Sequence, residues 1–584
     1  MAFRTSNRNK ILKRRRIIRR TLLVLLIIAA LAVIAGGVLL IINQTEKNKN
    51  YKYLASTNAA AEVYIYDDYE RRLFRAEAGI SRGTKVSVTD EHYTENGRTY
   101  VIVEHGRNRY YVNEEFLVDS VDDIILEREK WVRTSTTVYS DYHGCEIEGF
   151  VKKGAHLKIL AYDELLDDGS IPMYQVQFDD TTGWVFSKYL VDSRREAEKV
   201  NDDILDIHKG REFAYELYGG TPECLDWFPY EKPQFEDNVL LDDARCLYVC
   251  IKAIEKIDDY IALAKENGAN AIVLDIKDGI LACPMKTADE LSPYSSDIYW
   301  WDETTVTNAV NRIKSAGLYL ICRIVVFNDI LYGRDHPESC IESESAVQTW
   351  PSAFSRDVWY YNVRLALEVI EKFSPNEIQF DYVRFPEESF SMSLDETTDF
   401  KNEYGEEKAE AIQNFCFYAA DQIHRENVYL SVDVFAECAS AYVTAYGQYF
   451  PAISNIVDAV SAMPYTDHYG RSVDTWTVPY PTIYEWATKA AARQKEIETP
   501  GLARTWLTCY MVPWWNVSIY CDTEYFGSQA QALYDAGLTG GFLTWNSASS
   551  LKTYTMMAPS LGYDYKNGTR FSNGAPIKLK LYEG

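Results

Sequence analysis

Two aspartates end apolar segments that have the alternating pattern of buried strands. Asp381 lies two residues after Gln379, and Asp433 lies two residues after Ser431. Because side chains alternate across a strand, each aspartate shares a face with that polar residue, while the apolar neighbours occupy the other face. Two inward-facing carboxyl groups on neighbouring strands are the pattern that cleavage of a glycosidic bond needs.

The roles of these carboxylates follow from that chemistry. We predict Asp381 as the nucleophile or essential carboxylate and Asp433 as its acid/base partner, with the reverse assignment also open. Glu437 replaces Asp433 if Asp433 lies too deep to reach a substrate. The two groups of such a pair stand about 5 to 9.5 Å apart, according to the stereochemistry of the reaction.

Charged residues at other strand ends accompany these carboxylates. Arg323 and Arg384 are expected to keep a carboxylate ionised or to bind an acidic substituent, because guanidinium presents a planar fork of donors. Asp275, Lys277 and Asp278 are candidate substrate ligands or groups that tune a neighbouring pKa. A buried ion pair without any contact to substrate is the alternative for Asp275 and Arg323.

Aromatic and amide side chains near the later strand ends are candidates for the walls of a sugar site. Flat amphipathic rings suit the faces of sugars, and they suit hydrophobic cores equally well. Packing is therefore the alternative for the tyrosine and the tryptophans, and loop capping is the alternative for the histidine. The candidate substrate-binding residues of this group are Tyr465, His468, Trp506, Trp545 and Asn546.

Histidines and cysteines lack the usual spacing of metal ligands. The eight histidines form no His-x-His or His-x-x-x-His pair, and no Cys-x-x-Cys occurs among the eleven cysteines. We expect no metal and no other cofactor, although a zinc site built from distant residues stays open. The scattered cysteines are interpreted as small core residues and not as a disulfide framework.

The elements that must position these residues begin at residue 245, where apolar strand-like runs alternate with longer amphipathic stretches. This alternation is typical of repeated βα units, and eight units predict a (β/α)₈ TIM barrel within an α/β fold class. An open doubly wound sheet is the alternative, but no glycine-rich phosphate turn follows the first strand. The predicted strands are 246–251, 271–276, 319–326, 377–382, 428–434, 457–462, 505–510 and 541–545.

The amino-terminal residues have the pattern of a membrane anchor. Residues 22–42 form an apolar run without a charge, and nine Lys or Arg residues precede it. Such a run is long enough to span a bilayer, and its basic flank predicts a cytoplasmic amino terminus with extracellular domains, as in a single-pass bacterial membrane protein. The acidic balance of the remaining chain disfavours nucleic acid as a partner.

Two segments beyond the anchor share the ending Leu-Val-Asp-Ser, at residues 117–120 and 190–193, which indicates tandem copies. Each copy has short alternating runs separated by turn formers, as in small β-barrels. Gly-Trp-Val at residues 183–185 resembles the bacterial SH3-like domains of cell-surface proteins, and the first copy matches less well. Recognition of a cell-wall glycan and a plain folded spacer are both open.

These patterns predict a division of the chain into eight parts. They are a basic cytoplasmic tail (1–20), a transmembrane helix (21–43), a stalk (44–61), a degenerate SH3-like domain (62–120), a second SH3-like domain (128–193), a linker (194–244), the barrel (245–560) and a tail (561–584).

The region from residue 245 to 554 resembles the DUF4015 family of glycoside hydrolase-type barrel domains. The strongest element is EIQFDYVRFP at 377–386, supported by NAIVLDIKD at 270–278, RIVVF at 323–327, DVF at 433–435 and WN at 545–546. The resemblance implies a TIM barrel that hydrolyses glycosidic bonds. Two strand ends depart from the family pattern, since residues 462–469 read AMPYTDHY and Thr508-Cys509 replaces a Gln-Asp pair.

These features together predict a membrane-anchored glycoside hydrolase that cleaves a surface or environmental polysaccharide with two carboxylates. Its partners would be a polysaccharide or cell-wall glycan and, through the amino-terminal helix, the membrane. The alternative is a non-catalytic carbohydrate-binding or cell-wall scaffold protein built on the same barrel.

Overall fold

The computed structural model describes residues 50–55, 63–67, 69–76, 80, 83–126, 129–166, 170–198, 219–344, 349–469, 476–514, 517–572 and 580–581. The chain divides into two compact units. The first consists of Met1–Glu129 and Ile159–Pro172, and the second consists of Lys130–Lys158 and Met173–Gly584.

An antiparallel sheet of seven strands occupies the first unit. Its strands are β1 (Asn50–Leu54), β2 (Val63–Asp67), β3 (Arg72–Arg75), β4 (Lys85–Glu95), β5 (Arg98–His105), β6 (Asn108–Asn113) and β7 (Leu117–Val118). They pair in the order β3-β2-β6-β5-β4-β1-β7. Asn96 and Gly97 join β4 to β5 with φ values of 52° and 78°, and Asn-Gly is the pair that a tight hairpin turn favours. A 3₁₀ turn (Glu114–Phe116) and the helix Val121–Leu126 complete the described elements of this unit.

A second group of short strands follows in the chain. They are β8 (Glu129–Val132), β9 (Thr136–Tyr139), β10 (Ile147–Val151), β11 (His156–Tyr162), β12 (Met173–Phe178), β13 (Thr181–Phe186) and β14 (Leu190–Val191). Strand β9 pairs with β10 and β13, β13 pairs with β12, and β14 pairs with β8, all antiparallel. The repeated sequence ending has the same structure in both copies, since its Leu-Val pair forms a strand of two residues directly after a 3₁₀ turn.

Eight parallel strands close into a barrel in the second unit. They are β15 (Ala244–Val249), β16 (Ala271–Lys277), β17 (Tyr319–Val325), β18 (Glu377–Asp381), β19 (Tyr429–Phe435), β20 (Ala459–Met463), β21 (Leu502–Thr508) and β24 (Gly541–Trp545). Strand β24 pairs with both β21 and β15, which closes the ring. Gly541 permits this closure, because a Cβ there would lie 2.0 Å from the carbonyl oxygen of Ala244. A sheet of three short strands, β22 (Val512–Trp514), β23 (Val517–Ile519) and β25 (Lys580–Leu581), lies outside the barrel order.

Helices precede, connect and follow the barrel strands. The longer ones are Ile257–Asn267, Glu303–Ser315, Arg356–Phe373, Lys408–Arg425, Pro479–Gln494 and Thr523–Asp535. The shorter ones are Arg194–Ala197, Lys286–Leu291, Pro293–Ser296, Ile330–Asp335, Ser389–Leu394, Phe450–Ser454 and Leu551–Met557. Short 3₁₀ turns occupy Pro222–Cys224, Ile251–Lys256, Pro337–Ser339, Ala436–Ala439, Thr466–His468 and Ala558–Ser560.

Alternation along the strands separates an inner from an outer layer of the barrel. Val273, Ile321 and Leu543 pack in the inner cluster, whereas Leu274 and Val432 pack in the outer cluster with the helices. This is the face assignment that the alternating sequence pattern predicts. Inward positions nearest the carboxyl ends of the strands are therefore free to carry polar side chains.

The fold prediction is wrong in its transmembrane element. Within the part of the chain that the structure describes, no helix has both the length and the apolar character needed to cross a bilayer. The longest helices there, Arg356–Phe373 and Lys408–Arg425, carry charged residues along their 18 positions, and a span needs about 20 mostly apolar ones. The predicted location as a single-pass membrane protein, with a cytoplasmic amino terminus and extracellular domains, is not supported either. Residues 21–43, the predicted transmembrane helix, lie outside the described residues.

Element boundaries also differ from the predicted division. Strand β1 lies in the segment predicted as a stalk, and it pairs with β4 and β7. Tyr565 and Phe571, in the predicted carboxyl-terminal tail, are buried in the main core cluster. Gly527 makes room for this segment, since a Cβ there would lie 2.7 Å from the Phe571 ring.

Candidate functional site

Arg323 joins the aspartates of three barrel strands. Its guanidinium donates to Asp275 Oδ1 at 2.7 Å and to Asp381 Oδ2 at 2.5 Å. The Nε atom lies 3.6 Å from Asp433 Oδ2, and Nη1 lies 3.6 Å from Asp278 Oδ2. Strands β16 to β19 are consecutive in the barrel, so their inward side chains meet around this one cation. Burial strengthens these pairings because few water molecules screen the charges.

Asp381 is held at the carboxyl end of β18 by two contacts. Besides the Arg323 bond, its Oδ1 accepts the backbone N–H of Tyr382 at 2.6 Å. Tyr382 has a φ of 55°, a left-handed conformation that costs a non-glycine residue about 1–3 kcal/mol and that occurs preferentially at functional sites. The carboxylate is therefore fixed in orientation where the strand ends.

Asp433 lies deeper than Asp381 and is 1 % exposed. Trp506 Nε1 donates to its Oδ1 at 2.8 Å, whereas Oδ2 accepts no hydrogen bond from any described residue. Burial raises the pKa of Asp433 well above the ordinary value, and the nearby charge of Asp381 raises it further, while Arg323 and the Trp506 hydrogen bond act in the opposite direction. Asp433 is therefore the carboxyl group of this cluster that most favours the neutral form.

Replacing Asp433 by asparagine is expected to change how stability depends on pH. Because the pKa of Asp433 is raised in the folded state, its contribution to the free energy of unfolding is fully present only below the unfolded pKa of about 3.9. The wild type loses this contribution as the pH rises through the folded pKa. Asparagine does not titrate, so the Asp433→Asn variant should gain on the wild type as the pH rises from 4 towards 8, by about 1.4 kcal/mol for each unit of pKa shift. Urea unfolding across this range measures the difference, and a constant difference contradicts the expectation.

A cavity of about 870 Å³ opens above this cluster. Asp381 and Arg323 line its base, and Tyr465, Trp506 and Trp545 form an aromatic wall. The rings of Tyr465 and Trp545 are stacked at 6.2 Å, and Trp506 meets Trp545 edge to face at 5.6 Å. A cavity of this size, with aromatic walls and polar groups that converge on it, is typical of ligand sites.

Glu437 lines the same cavity from the 3₁₀ turn after β19. The hydroxyls of Tyr442 and Tyr446 donate to its two carboxylate oxygens at 2.6 and 2.9 Å. Glu437 is exposed, in contrast to Asp433, which is absent from the cavity wall. The structure thus brings Asp381 and Glu437 to one cavity and leaves Asp433 beneath it.

The other predicted residues divide between the cavity and its surroundings. His468 lies at the rim, edge to face with Tyr465 at 5.4 Å. Arg384 also lines the cavity, but its guanidinium lies over the Phe435 ring at 4.2 Å and pairs with Glu387 at 3.3 Å. The ion pair of Arg384 is therefore with Glu387, and its expected role, to keep a catalytic carboxylate ionised or to bind an acidic substituent, stays a prediction.

Four predicted substrate ligands lie outside the cavity wall: Asp275, Lys277, Asp278 and Asn546. Asp275 is occupied by Arg323 and by the hydroxyl of Tyr248, and burial raises its pKa to about 6. The Asn546 amide donates to the carbonyl of Cys509 at 2.7 Å.

Lys277 is turned away from the cavity by an irregularity in its strand. The pairing of β16 with β17 shifts between Asp275 and Lys277. Lys277 binds Asp329 at 2.6 Å and Asn362 at 2.8 Å, on the side of the helices. Simple alternation would place Lys277 on the same face as Asp275, and a bulge reverses that assignment.

One face of the helix Pro479–Gln494 also lines the cavity, which the sequence interpretation missed. Thr482, Glu485, Trp486 and Lys489 have the spacing of one helix face, and all four line the cavity. The Trp486 indole donates to the carbonyl of Ala436 at 2.9 Å, which ties this helix to the Glu437 turn. The spacing was visible in the sequence, but barrel helices ordinarily pack outside the strands.

The described residues contain no group of three or more His, Cys, Asp or Glu side chains arranged to hold a metal ion. All eleven cysteines lie in the described part of the chain and are free thiols, eight of them buried. Burial raises the pKa of Cys246 and of Cys283 to about 12, so these thiols stay protonated in the core.

A family model described as "Putative glycosyl hydrolase domain", DUF4015, matches residues 246–551, more than half of the chain. The chain belongs to the DUF4015 family. Membership confirms the predicted enzyme class, a glycoside hydrolase. The matched segment contains every barrel strand from β16 to β24 and all the residues that line the cavity.

Several solved structures resemble the chain at low overall similarity. A hypothetical protein from Ruminiclostridium thermocellum is 29% identical over 32% of this chain and 97% of its own, with a TM-score of 0.27. The glycoside hydrolase domain of PgaB (BpsB) from Bordetella bronchiseptica is 13% identical over 53% and 95%, with a TM-score of 0.38. A class V chitinase from Pseudomonas fluorescens is 12% identical over 54% and 99%, with a TM-score of 0.35. No curated protein matches the chain.

Proposed function

We propose that this DUF4015 protein cleaves a glycosidic bond within a polysaccharide or cell-wall glycan by two-carboxylate catalysis in the 870 Å³ cavity. One observation carries the proposal: Asp381 lies at the base of an aromatic-walled cavity, paired with Arg323 and fixed by two hydrogen bonds. A carboxyl group of fixed orientation beside a cation is what a glycosidase needs to attack the anomeric carbon or to activate water.

Asp381 acts as the nucleophile or base in this proposal. The Arg323 guanidinium stabilises the negative charge, and the Tyr382 N–H holds the second oxygen. The stacked Tyr465 and Trp545 rings are suited to the flat face of a sugar next to the scissile bond.

Glu437 acts as the acid in this proposal. It lines the cavity, whereas Asp433 is 1 % exposed and does not. Asp433 is nevertheless near Asp381, because both contact one guanidinium group at 2.5 and 3.6 Å, which keeps the two carboxylates within the limit of about 9.5 Å for a glycosidase pair. Its burial assigns Asp433 a positioning role, in which it holds Arg323 and Trp506 around Asp381.

Release of reducing ends from polysaccharides tests the proposal. The full chain is incubated with glycol chitin, carboxymethyl cellulose, laminarin and polygalacturonate, and new reducing ends are measured. We expect product from at least one of them. Binding without product from any of them would favour the alternative, a carbohydrate-binding barrel without turnover.

Replacing Glu437 by glutamine is expected to lower kcat about 10²- to 10⁴-fold, because the amide cannot protonate the leaving oxygen. The deficit should shrink with a nitrophenyl glycoside, whose leaving group needs little protonation. Steady-state kinetics on both substrates measure this contrast.

Glu371→Gln, at an exposed position near the end of the helix Arg356–Phe373, is the matched control and should keep the wild-type rate. An equal loss on both substrates, or a loss confined to Asp433→Asn, would remove Glu437 from the acid role.

We also propose that residues 62–120 and 128–193 form SH3-like domains, the first of them together with β1, and that they are attached to a catalytic domain of residues 245–560. Short antiparallel strands and the repeated ending support this assignment. Deletion of residues 62–193 from the full chain separates recognition of a cell-wall glycan from a spacer role. If these domains recognise the glycan, the deletion variant should bind insoluble wall material more weakly than the full chain, and if they are a spacer, the two should bind equally.

A further inference from the structure

Two neighbouring aromatic side chains are exposed in the loop after β16, outside the cavity wall. Tyr299 is 48 % exposed and Trp300 is 45 % exposed. The ammonium of Lys252, from the turn after β15, lies 4.7 Å from the centre of the Trp300 ring. Single exposed rings are common on protein surfaces, whereas consecutive exposed rings beside a cation form a patch of the kind that marks a binding surface.

The backbone beneath these rings is well fixed. The N–H of Trp300 donates to the Leu281 carbonyl at 3.0 Å, and that of Trp301 donates to the Ala282 carbonyl at 2.9 Å. The Trp301 indole donates to the Ile251 carbonyl at 2.7 Å, which anchors the segment to the turn that carries Lys252. Ordered rings of this kind lose little conformational entropy when a ligand binds.

The exposed pair is structurally continuous with the Arg323 cluster. Leu281 forms bridges with Tyr299 on one side and with Lys277 on the other. Asp278, one residue after Lys277, approaches Arg323 at 3.6 Å. Tyr299 and Trp300 therefore belong to a loop that starts beside the Arg323 cluster, on the barrel face that carries the cavity.

We infer that Tyr299, Trp300 and Lys252 form a second glycan-binding surface, here called the aromatic ledge, which holds a distant part of the polysaccharide chain whose scissile bond lies in the cavity. The inference rests on the proposed function and deepens it by making the substrate a polymer longer than the cavity. The rings stack on sugar faces, and the Lys252 ammonium donates hydrogen bonds to hydroxyl groups.

The size of the ledge favours a glycan over a protein partner. A stable protein interface covers about 800 Å² on each partner, which two half-exposed rings and one lysine do not provide. A linear polysaccharide needs only a few stacked rings at each binding position, because several weak contacts along one chain combine.

Affinity electrophoresis in gels containing glycol chitin, carboxymethyl cellulose, laminarin or polygalacturonate tests the ledge. All variants carry Asp381→Asn, so turnover does not destroy the gel matrix. We expect at least one gel to retard the parent, and Trp300→Ala to weaken its binding about 2- to 10-fold, the range for loss of one ring contact. Trp300→Phe should keep most of the affinity, which separates loss of the ring from loss of the fold.

Tyr484→Ala is the matched control, because Tyr484 is 40 % exposed and points away from the cavity-lining face of its helix. It should bind as tightly as the parent. The inference is overturned if no gel retards the parent, or if Trp300→Ala and Tyr299→Ala bind as tightly as the parent. Failure of the proposed function is a separate result, namely no reducing ends released by the wild type from any of the four polysaccharides.

Discussion

Replacing Asp381 by asparagine is expected to abolish hydrolysis, with kcat lowered at least about 10³-fold, while binding of the polysaccharide persists. Arg323 and the Tyr382 N–H bind different oxygens of Asp381, so the amide oxygen of asparagine can keep one of the two bonds and the NH2 group loses the other. One retained bond and the unchanged size of the side chain should preserve the geometry of the site. The amide lacks the negative charge and the nucleophilicity that the reaction needs. Reducing-end release measures the first effect, and affinity electrophoresis measures the second.

Thermal unfolding of Asp381→Asn provides the control for folding, and its midpoint should stay close to that of the wild type. Retention of more than a tenth of the wild-type kcat would exclude Asp381 as nucleophile or base. Loss of both binding and the folded state would show instead that the Arg323–Asp381 pair is needed for the barrel itself.

Replacing Arg323 by methionine is expected to lower the free energy of unfolding by about 3–5 kcal/mol at pH 7, because it leaves buried carboxylates without their cation. Asp275, Asp381 and Asp433 all lose a partner in this variant. The loss should become smaller at lower pH, where protonation removes the unpaired charges. The pKa of Asp275 is raised by burial to about 6 in the wild type even though Arg323 lowers it, so without Arg323 the recovery should begin above that pH.

Arg504→Met is the matched control for this experiment. Arg504 is also fully buried and pairs with Glu377 at 2.5 Å, but neither residue lines the cavity. Both variants should lose stability in urea unfolding, and only Arg323→Met should also lose activity per folded molecule. A loss below about 1 kcal/mol for Arg323→Met, or no change in that loss with pH, would contradict the assignment of Arg323 as the cation of the cluster.

The barrel could be predicted from the sequence because each strand buries both of its faces. Continuous apolar runs bounded by turns identify such strands, and 541–545 matches β24 residue for residue. The other predicted strands are shifted by up to three residues, as at β21, which begins at Leu502. The boundaries shift because the last residues that pair are decided by the neighbouring strand and not by local sequence.

The candidate site could be predicted in part, because side chains alternate between the two faces of a strand. Alternation placed Asp381 and Asp433 on the inner face, where both contact Arg323. Alternation along a strand does not tell how deep an inward side chain lies in the barrel. Asp433 lies below the cavity, whereas Glu437 lies in the cavity wall. It also failed at Lys277, since a single extra residue in β16 exchanges the faces that follow it.

The eight βα units, the inward parity of the aspartates and the DUF4015 motif around Asp381 could be read from the chain, because they depend on local periodicity and residue type. Three features became known from the folded arrangement: one guanidinium joins aspartates of three strands, Glu437 faces the cavity, and a helix face from Pro479–Gln494 completes the cavity wall. These features depend on distances between segments far apart in the chain. Such distances are set by barrel closure and packing, which no local pattern contains.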